Sequence, residues 1–314
     1  MLTYCLRRLL YSIPVLLVAS FLLFGFVRST FDPTSRLRAS RDPSVVQAER
    51  DRLGLNDPLV VQYGSWLKDA VSGDLGVSSR TNEDVSSMLW RAMGKTLQLI
   101  VIGAFVSAFI AVGVGVFSAV RQQSVPDYLI TGLSYVGVAM PPFWFGLIAI
   151  QVFGVKLGWF KFVGLHSGDS TAYDVDYLKH LVLPIATLCV QIVASWSRYE
   201  RASMLDALGA DYVRTARAKG VPRSKVIFKH ALRNALIPLV TVMALDIGAL
   251  FGGLIITEQI FSIGGMGRLF LDALLQGDVY VLEAWMIVVA ALIILFNLFA
   301  DVIYGILDPR IRLS

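Results

Sequence analysis

The chain has 314 residues, of which 56% are hydrophobic and only 16% are charged, with a formal net charge of +5. Soluble proteins average about 25% charged residues, and their helices carry polar faces that most of these apolar blocks lack. The composition therefore excludes an ordinary soluble domain and indicates a membrane protein, in which an excess of Lys and Arg reports topology rather than nucleic-acid binding.

Six apolar blocks are long enough to cross a bilayer, which needs about 20 residues of helix. The first block, Leu9 to Val27, follows Arg7 and Arg8. It is too long for the apolar part of a typical signal peptide and predicts a retained span. The other five blocks are Thr96–Val120, Tyr128–Val155, Leu181–Ser197, Ala235–Phe261 and Val281–Leu307. We therefore predict an all-α polytopic membrane protein with six transmembrane helices.

Positive charge falls on one side of these spans. The connector 198–233 holds nine Lys or Arg against three acids, while Arg121 follows span two and Arg310 and Arg312 follow span six. The positive-inside rule makes this side cytoplasmic and places both termini there. The loops on the other side carry no comparable excess.

The long loop 28–95 lies outside the cell by alternation. It contains five apolar residues at the spacing of an amphipathic helix, namely Leu59, Tyr63, Trp66, Leu67 and Val71. Two interpretations remain open, a lid resting on the membrane surface or a docking surface for an external partner. The chain thus divides into residues 1–27 with the first span, the extracytoplasmic region 28–95, and a five-span core 96–314 with a cytoplasmic loop at 198–234.

That cytoplasmic loop carries a densely basic segment, DYVRTARAKGVPRSKVIFKHALRNALIP. Good helix formers lead to Gly220, a natural residue to end a helix, and Pro222 suits the first turn of a second helix. The second helix sets apolar residues such as Val226 against basic ones such as Lys229. An interfacial helix would explain the charge alone. The small-residue core Thr215–Gly220 additionally favours a helix that enters a groove on another protein.

This segment resembles the EAA loop of ABC importer permeases, particularly the dipeptide and oligopeptide branch. Arg214, Thr215 and Ala216 stand where the motif has Glu-Ala-Ala, Gly220 is its glycine, and Pro238 belongs to its downstream apolar-Pro pair. The Arg in place of Glu and the longer spacing to the proline both look like the peptide branch. Further strings resemble the same branch in order along the chain: RRLLYSIPVLLVASFLLF, LGLNDPLVVQYGSWLKDAVSGDLGVS, MPPFWFGL, ITEQIFSIGGMGRL and LDPRIR.

The resemblance implies a type I ABC importer permease fold, of the first-permease type, in a bacterial cell membrane. Such a subunit pairs with a homologous second permease as a heterodimer. Two cytoplasmic ABC ATPase subunits bind ATP and Mg²⁺, and an extracytoplasmic binding protein delivers a peptide or other small ligand. The 211–238 loop would couple to the ATPase through these residues: Arg214, Thr215, Ala216, Arg217, Ala218, Lys219 and Gly220.

No enzyme signature is expected in such a subunit, which would carry no cofactor of its own. The string Met93–Thr96 looks like the end of a phosphate-binding loop, but Leu89 stands where that pattern needs glycine. A stand-alone secondary carrier should show inverted repeats, and none is evident. An intramembrane enzyme is disfavoured because no catalytic set appears. Peptide is the implied substrate, with nickel chelate, glutathione or another small ligand as the alternative.

Asp246 lies near the middle of span five, between apolar neighbours. A charge there costs about 2.5–3.5 kcal/mol on insertion scales, so it should face water or a partner. It is a candidate contact in the substrate pathway, and the alternative is a structural hydrogen bond to another span.

Overall fold

The computed structural model describes residues 2–34, 43–168 and 172–307, and within these ranges the chain is helical, without a β-strand. Two π-helical stretches, Ile150–Lys156 and Val226–Ala231, continue α6 and lead into α10. The α-helices in chain order are α1 Leu2–Thr30, α2 Pro43–Arg52, α3 Leu59–Val71, α4 Val85–Val120, α5 Val125–Ala139, α6 Pro142–Ala149, α7 Val175–Gly209, α8 Asp211–Ala218, α9 Arg223–Lys225, α10 Leu232–Gly253, α11 Ile255–Ile260, α12 Met266–Gln276 and α13 Val279–Leu307.

Five helical stretches are long and apolar enough to cross a membrane, and they contain α1, α4, α7, α10 and α13. The pair formed by α5 and α6 with its π-helical continuation also passes, but it is bent by 100°. Taken as one broken span, this pair gives the six spans predicted from the sequence. Arg310 and Arg312 lie outside the described residues, so the side on which they lie stays a prediction.

The break between α5 and α6 occurs at Met140 and Pro141, both of which are extended, with ψ of 122° and 128°. A residue that precedes proline is disfavoured in the helical region because the proline ring crowds its backbone. Each of these residues precedes a proline, since Pro142 follows Pro141. The two prolines therefore interrupt the helix completely.

The membrane core is built around α7, which packs most extensively against α4. The two helices approach closely at Gly115, where an added Cβ would lie 2.6 Å from the Cβ of Glu200 and 2.9 Å from the carbonyl oxygen of Ser197. Leu99, Leu188 and their neighbours fill the outer part of this contact. Because α7 also contacts α5, α6 and α10, it lies at the centre of the bundle.

The C-terminal end of α1 is held by a buried ion pair to α13. The Nε atom of Arg28 lies 2.6 Å from Oε1 of Glu283, whose side chain is fully buried. The predicted amphipathic helix in the external loop is confirmed as α3, and it rests on α1. The hydroxyl of Tyr63 lies 2.7 Å from that of Ser20. Tyr63 and Trp66 in the middle of α3 contact the ring of Phe24 in α1, whereas Val71 at the end of α3 is 81% exposed.

Candidate coupling and pathway sites

The basic segment forms a short helix, α8, directly after the end of α7. It ends at Gly220, whose φ of +74° lies in the left-handed region that glycine tolerates best. The amide of Gly220 donates to the carbonyl of Arg217 at 3.0 Å, and the amide of Val221 donates to that of Ala216 at 3.2 Å. These two bonds form a Schellman motif, which satisfies carbonyls at the helix end. The prediction that Gly220 ends this helix is confirmed.

Most of the predicted coupling residues lie on the exposed side of α8. Ala216 is the exception, because it is only 7% exposed and packs, together with Val213, in a cluster with Met204 of α7 and Val226. Residues three apart share one helix face, and here that face meets the chain's own bundle. The structure thus corrects the expectation that Ala216 itself enters a groove on a partner. The exposed residues are Arg214, Thr215, Arg217, Ala218, Lys219 and Gly220.

The predicted second helix is present and amphipathic, as α9 and the π-helical stretch that follows it. Val226 and Ala231 are buried, whereas Lys225 and Lys229 are exposed. Pro222 immediately precedes α9 rather than lying within its first turn. The π-helical turn was not predicted, because its hydrogen bonds to carbonyls five residues back leave no mark in the residue pattern.

A polar cluster that the sequence analysis missed ties α5 to α7 near this segment. The guanidinium of Arg201 donates to both carboxylate oxygens of Asp127, from Nε at 2.7 Å and from a terminal nitrogen at 2.8 Å. The same carboxylate accepts from the hydroxyl of Ser118 and, at 2.9 Å, from the amide of Gln123. The two bonds from Arg201 therefore fix the α4–α5 turn against α7, about three helical turns before α8 begins, and the other two hold Asp127 within that turn.

Asp246 is half-buried in α10 and accepts a hydrogen bond on Oδ2 from the indole nitrogen of Trp196 at 2.7 Å. Trp196 belongs to α7 and is fully buried. The sequence analysis gave a hydrogen bond to another span as the alternative to a pathway role for Asp246, and this bond is such a contact. It engages one carboxylate oxygen of a side chain that is not fully enclosed, so the bond and a pathway contact are compatible.

The string that looked like a phosphate-binding loop lies inside α4, where its amides belong to a continuous helix. The Thr96 hydroxyl donates to Oε1 of Glu258 at 2.5 Å and accepts from the amide of Met266 at 2.8 Å. Oε2 of Glu258 accepts from the amide of Arg268 at 3.0 Å. Thr96 and Glu258 therefore hold the glycine-rich turn 262–267 in place, and a helix cannot wrap its amides around a phosphate as a loop does.

Glu200 of α7 is fully buried, and neither of its carboxylate oxygens has a hydrogen-bond partner among the described residues. Its side chain lies against Gly115 of α4. Burying a carboxyl group without a hydrogen-bond partner is costly, so this side chain lowers the stability of the α4–α7 contact.

The histidines do not gather into a site. Nε2 of His180 lies 3.2 Å from the hydroxyl of Ser167, and its Nδ1 lies 3.1 Å from the carbonyl oxygen of Gly164, so it braces an outer loop. The ring of His166 stacks on Tyr177. Among the described residues no group of three or more His, Cys, Asp or Glu side chains could hold a metal ion.

Two family models together match nearly the whole chain. The model described as the binding-protein-dependent transport system inner membrane component matches residues 111–313, and the one for the N-terminal part of such components matches residues 1–100. The longer match alone covers more than half of the chain and includes α7, α8 and α10.

Similar proteins match over the full length. The oligopeptide transport system permease protein AppB of Bacillus subtilis is 42% identical, covering 99% of this chain and 100% of that protein. The dipeptide transport system permease protein DppB of Alkalihalophilus pseudofirmus is 38% identical over 99% and 100% of the two chains. The glutathione transport system permease protein GsiC of Escherichia coli O6:H1 is 38% identical over 99% of each.

Proposed function

This chain belongs to the family of inner membrane components of binding-protein-dependent transport systems, and we propose that within such a system it imports peptides. Its fold is that of a type I importer permease. The permeases similar to it over their full length carry names for oligopeptide, dipeptide and glutathione transport. Glutathione is itself a small peptide, so a peptide-like ligand is the substrate class common to all three, and glutathione is the second candidate.

We further propose that a homologous permease completes the pathway and that two cytoplasmic ATPases supply the energy. ATP and Mg²⁺ would bind to those ATPases, and an external binding protein would deliver the substrate. The one-sided Lys and Arg excess supports an orientation with both termini and α8 in the cytoplasm. The string Met93–Thr96 belongs to the continuous helix α4 and does not form a phosphate-binding loop, which supports the assignment of ATP hydrolysis to a partner.

The observation that carries the coupling proposal is that one side of α8 packs against the chain's own helices while the other side is exposed. Its exposed side presents small and basic side chains, while Val213 and Ala216 anchor its other side to the end of α7. A partner that closes on ATP prefers one arrangement of the two coupling helices and so biases the transporter between two states. A force on α8 passes into α7 and, through Arg201 and Asp127, into α5.

Asp246 is the proposed pathway contact. Trp196 fixes the orientation of the carboxylate through Oδ2, and the side chain is only half-buried. A negative group held in this way could meet the positive amino terminus of a peptide. The same contact would serve glutathione, which also has a free amino group.

Reconstitution tests the function. The chain, a second permease and the ATPases are placed in proteoliposomes with a binding protein, and uptake of labelled dipeptide, oligopeptide and glutathione is measured with and without ATP. We expect ATP-dependent uptake by the complex and no uptake by this chain alone under an ion gradient. Uptake by the isolated chain would identify a secondary carrier instead.

A matched pair of variants tests the coupling site. Ala218→Glu places a charge on the exposed side of α8, and Ala202→Glu places the same charge on an exposed part of α7. We expect the first to uncouple substrate-stimulated ATP hydrolysis in an assembled complex and the second to preserve it. Equal coupling in both variants would remove the exposed side of α8 from the interface.

Thiol labelling tests the orientation. Single cysteines replace Ser72 and Ser224, both exposed, in a chain from which Cys5 and Cys189 have been removed. An impermeant reagent should label the first on intact cells and the second only after lysis. Labelling of Ser224→Cys from outside would reverse the proposed topology.

A further inference from the structure

A cavity of about 440 Å³ lies where α4 ends against the coupling segment. Ala119 and Val120, the last two residues of the apolar helix α4, form one wall. The other wall residues are Leu208, Val221, Val226 and Ile227 together with two arginines, Arg217 and Arg223. The cavity is open and combines an apolar wall with two exposed arginines, so it suits a ligand with an anionic head and a hydrocarbon body.

The positive charge of the two arginines in this cavity is not neutralised by a carboxylate among the described residues. No carboxylate lines it, and neither Arg217 nor Arg223 has an ion-pair partner among the described residues. The nearby Asp211 lies closest to Arg214, at 3.6 Å. Guanidinium groups pair with phosphate oxygens in a well-matched fork geometry, so the missing partner fits a phosphate better than a neutral group.

The position of the cavity favours a lipid over a soluble anion or an acidic protein. The wall formed by Ala119 and Val120 is the end of a membrane span, where headgroups meet hydrocarbon. Arg121 stacks on Phe117 at 4.4 Å beside it. Phe228 is 63% exposed between two exposed lysines on the adjoining helix, a pattern typical of a helix that lies in a membrane interface.

We propose that this cavity binds an anionic phospholipid, with the phosphate between Arg217 and Arg223 and an acyl chain against Val120 and Ile227. The lipid would occupy the space between the end of α4 and the coupling segment. Basic pockets between helices at a membrane surface bind anionic headgroups by the same combination of charge and apolar wall. The assignment concerns this chain's own residues and stands independently of the transported substrate.

Native mass spectrometry of the purified full-length chain tests the site. Detergent-solubilised protein is titrated with phosphatidylglycerol or with phosphatidylcholine carrying the same acyl chains. We expect preferential retention of phosphatidylglycerol, reduced about tenfold in the double variant Arg217→Gln with Arg223→Gln. The control, Arg214→Gln with Lys219→Gln, removes the same charge from α8 and its end without touching the cavity and should retain the lipid.

Other results would refute lipid binding or indicate a different ligand for the cavity. Unchanged retention in the Arg217 and Arg223 variant, or equal loss in the control, would overturn the proposal. Displacement of the lipid by excess inorganic phosphate would assign a soluble anion. If the arginine variant yields aggregated protein, Val120→Phe is tested instead, because it narrows the cavity without changing its charge. This variant should also lower the retention of phosphatidylglycerol. Full retention of the lipid by Val120→Phe would refute the site.

Discussion

Replacement of Arg201 by Met removes the link between α7 and the α4–α5 turn while keeping most of the side-chain volume. Two charge-assisted hydrogen bonds are lost, and the Asp127 side chain, only 2% exposed, keeps those from Ser118 and the Gln123 amide. Breaking a buried ion pair costs about 3–5 kcal/mol. Because two bonds to the carboxylate survive and Arg201 is 28% exposed, we expect a loss of about 2–3 kcal/mol.

Asp127→Asn should cost less than Arg201→Met, because the released guanidinium can reach water, whereas the stranded carboxylate cannot. The double variant should cost about as much as the worse single variant, since both remove one interaction. Unfolding of the purified protein in detergent measures these changes, alongside substrate-stimulated ATP hydrolysis of the complex. Arg198→Met is the control, because Arg198 stacks on Tyr135 and pairs with no carboxylate in the described structure. Additive losses, or an unaltered Arg201→Met protein, would refute the proposed link.

Three further predictions address the pathway, the coupling turn and the buried carboxyl group. Asp246→Asn keeps an oxygen for Trp196 and should lower the preference for free over N-acetylated peptides at normal expression; an unchanged preference would favour a structural role alone. Gly220→Val places a branched residue at positive φ, which costs about 1–2 kcal/mol, and should abolish coupling while assembly persists; wild-type coupling would contradict this. Glu200→Gln replaces a buried carboxyl group that has no hydrogen-bond partner among the described residues by a neutral amide of similar shape, so it should raise or preserve the unfolding midpoint; a drop of several degrees would reveal a partner for Glu200.

The spans were predictable because length and apolarity alone decide whether a segment can cross a bilayer. The helix ends were less predictable. α4 and α7 have 36 and 35 residues, so each is about 53 Å long and extends beyond the hydrocarbon layer, with polar first turns capped by Asp84 and Asp174. Polar turns at the end of a helix do not appear in a hydropathy pattern. The predicted divisions of the chain between residues 27 and 28 and between residues 95 and 96 therefore fall inside α1 and α4.

The coupling segment was predictable as a helix, a glycine turn and an amphipathic helix, because each has a local sequence signature. The sequence did not predict which side of α8 is buried. Ala216 and Ala218 are the same residue type, and only the tertiary packing buries Ala216. Pairings between distant residues were also invisible. Arg201 and Asp127 lie 74 positions apart, and Trp196 and Asp246 lie 50 apart. A single sequence does not indicate which polar residues of different spans meet.

Several of the polar side chains that lie between helices belong to α7. This helix supplies Arg201 to the α4–α5 turn, Trp196 to Asp246 and Glu200 to the contact with α4, and its last turns carry α8. A displacement of α8 must therefore move several spans together or strain these contacts. Among the spans that α7 touches, the pair α5–α6 is interrupted after Met140, where Pro141 and Pro142 have no amide hydrogen with which to bond across the break. We therefore expect α5 to follow α7 through Arg201 while α6 remains with the outer core, so that the break absorbs the change in angle between the two transport states.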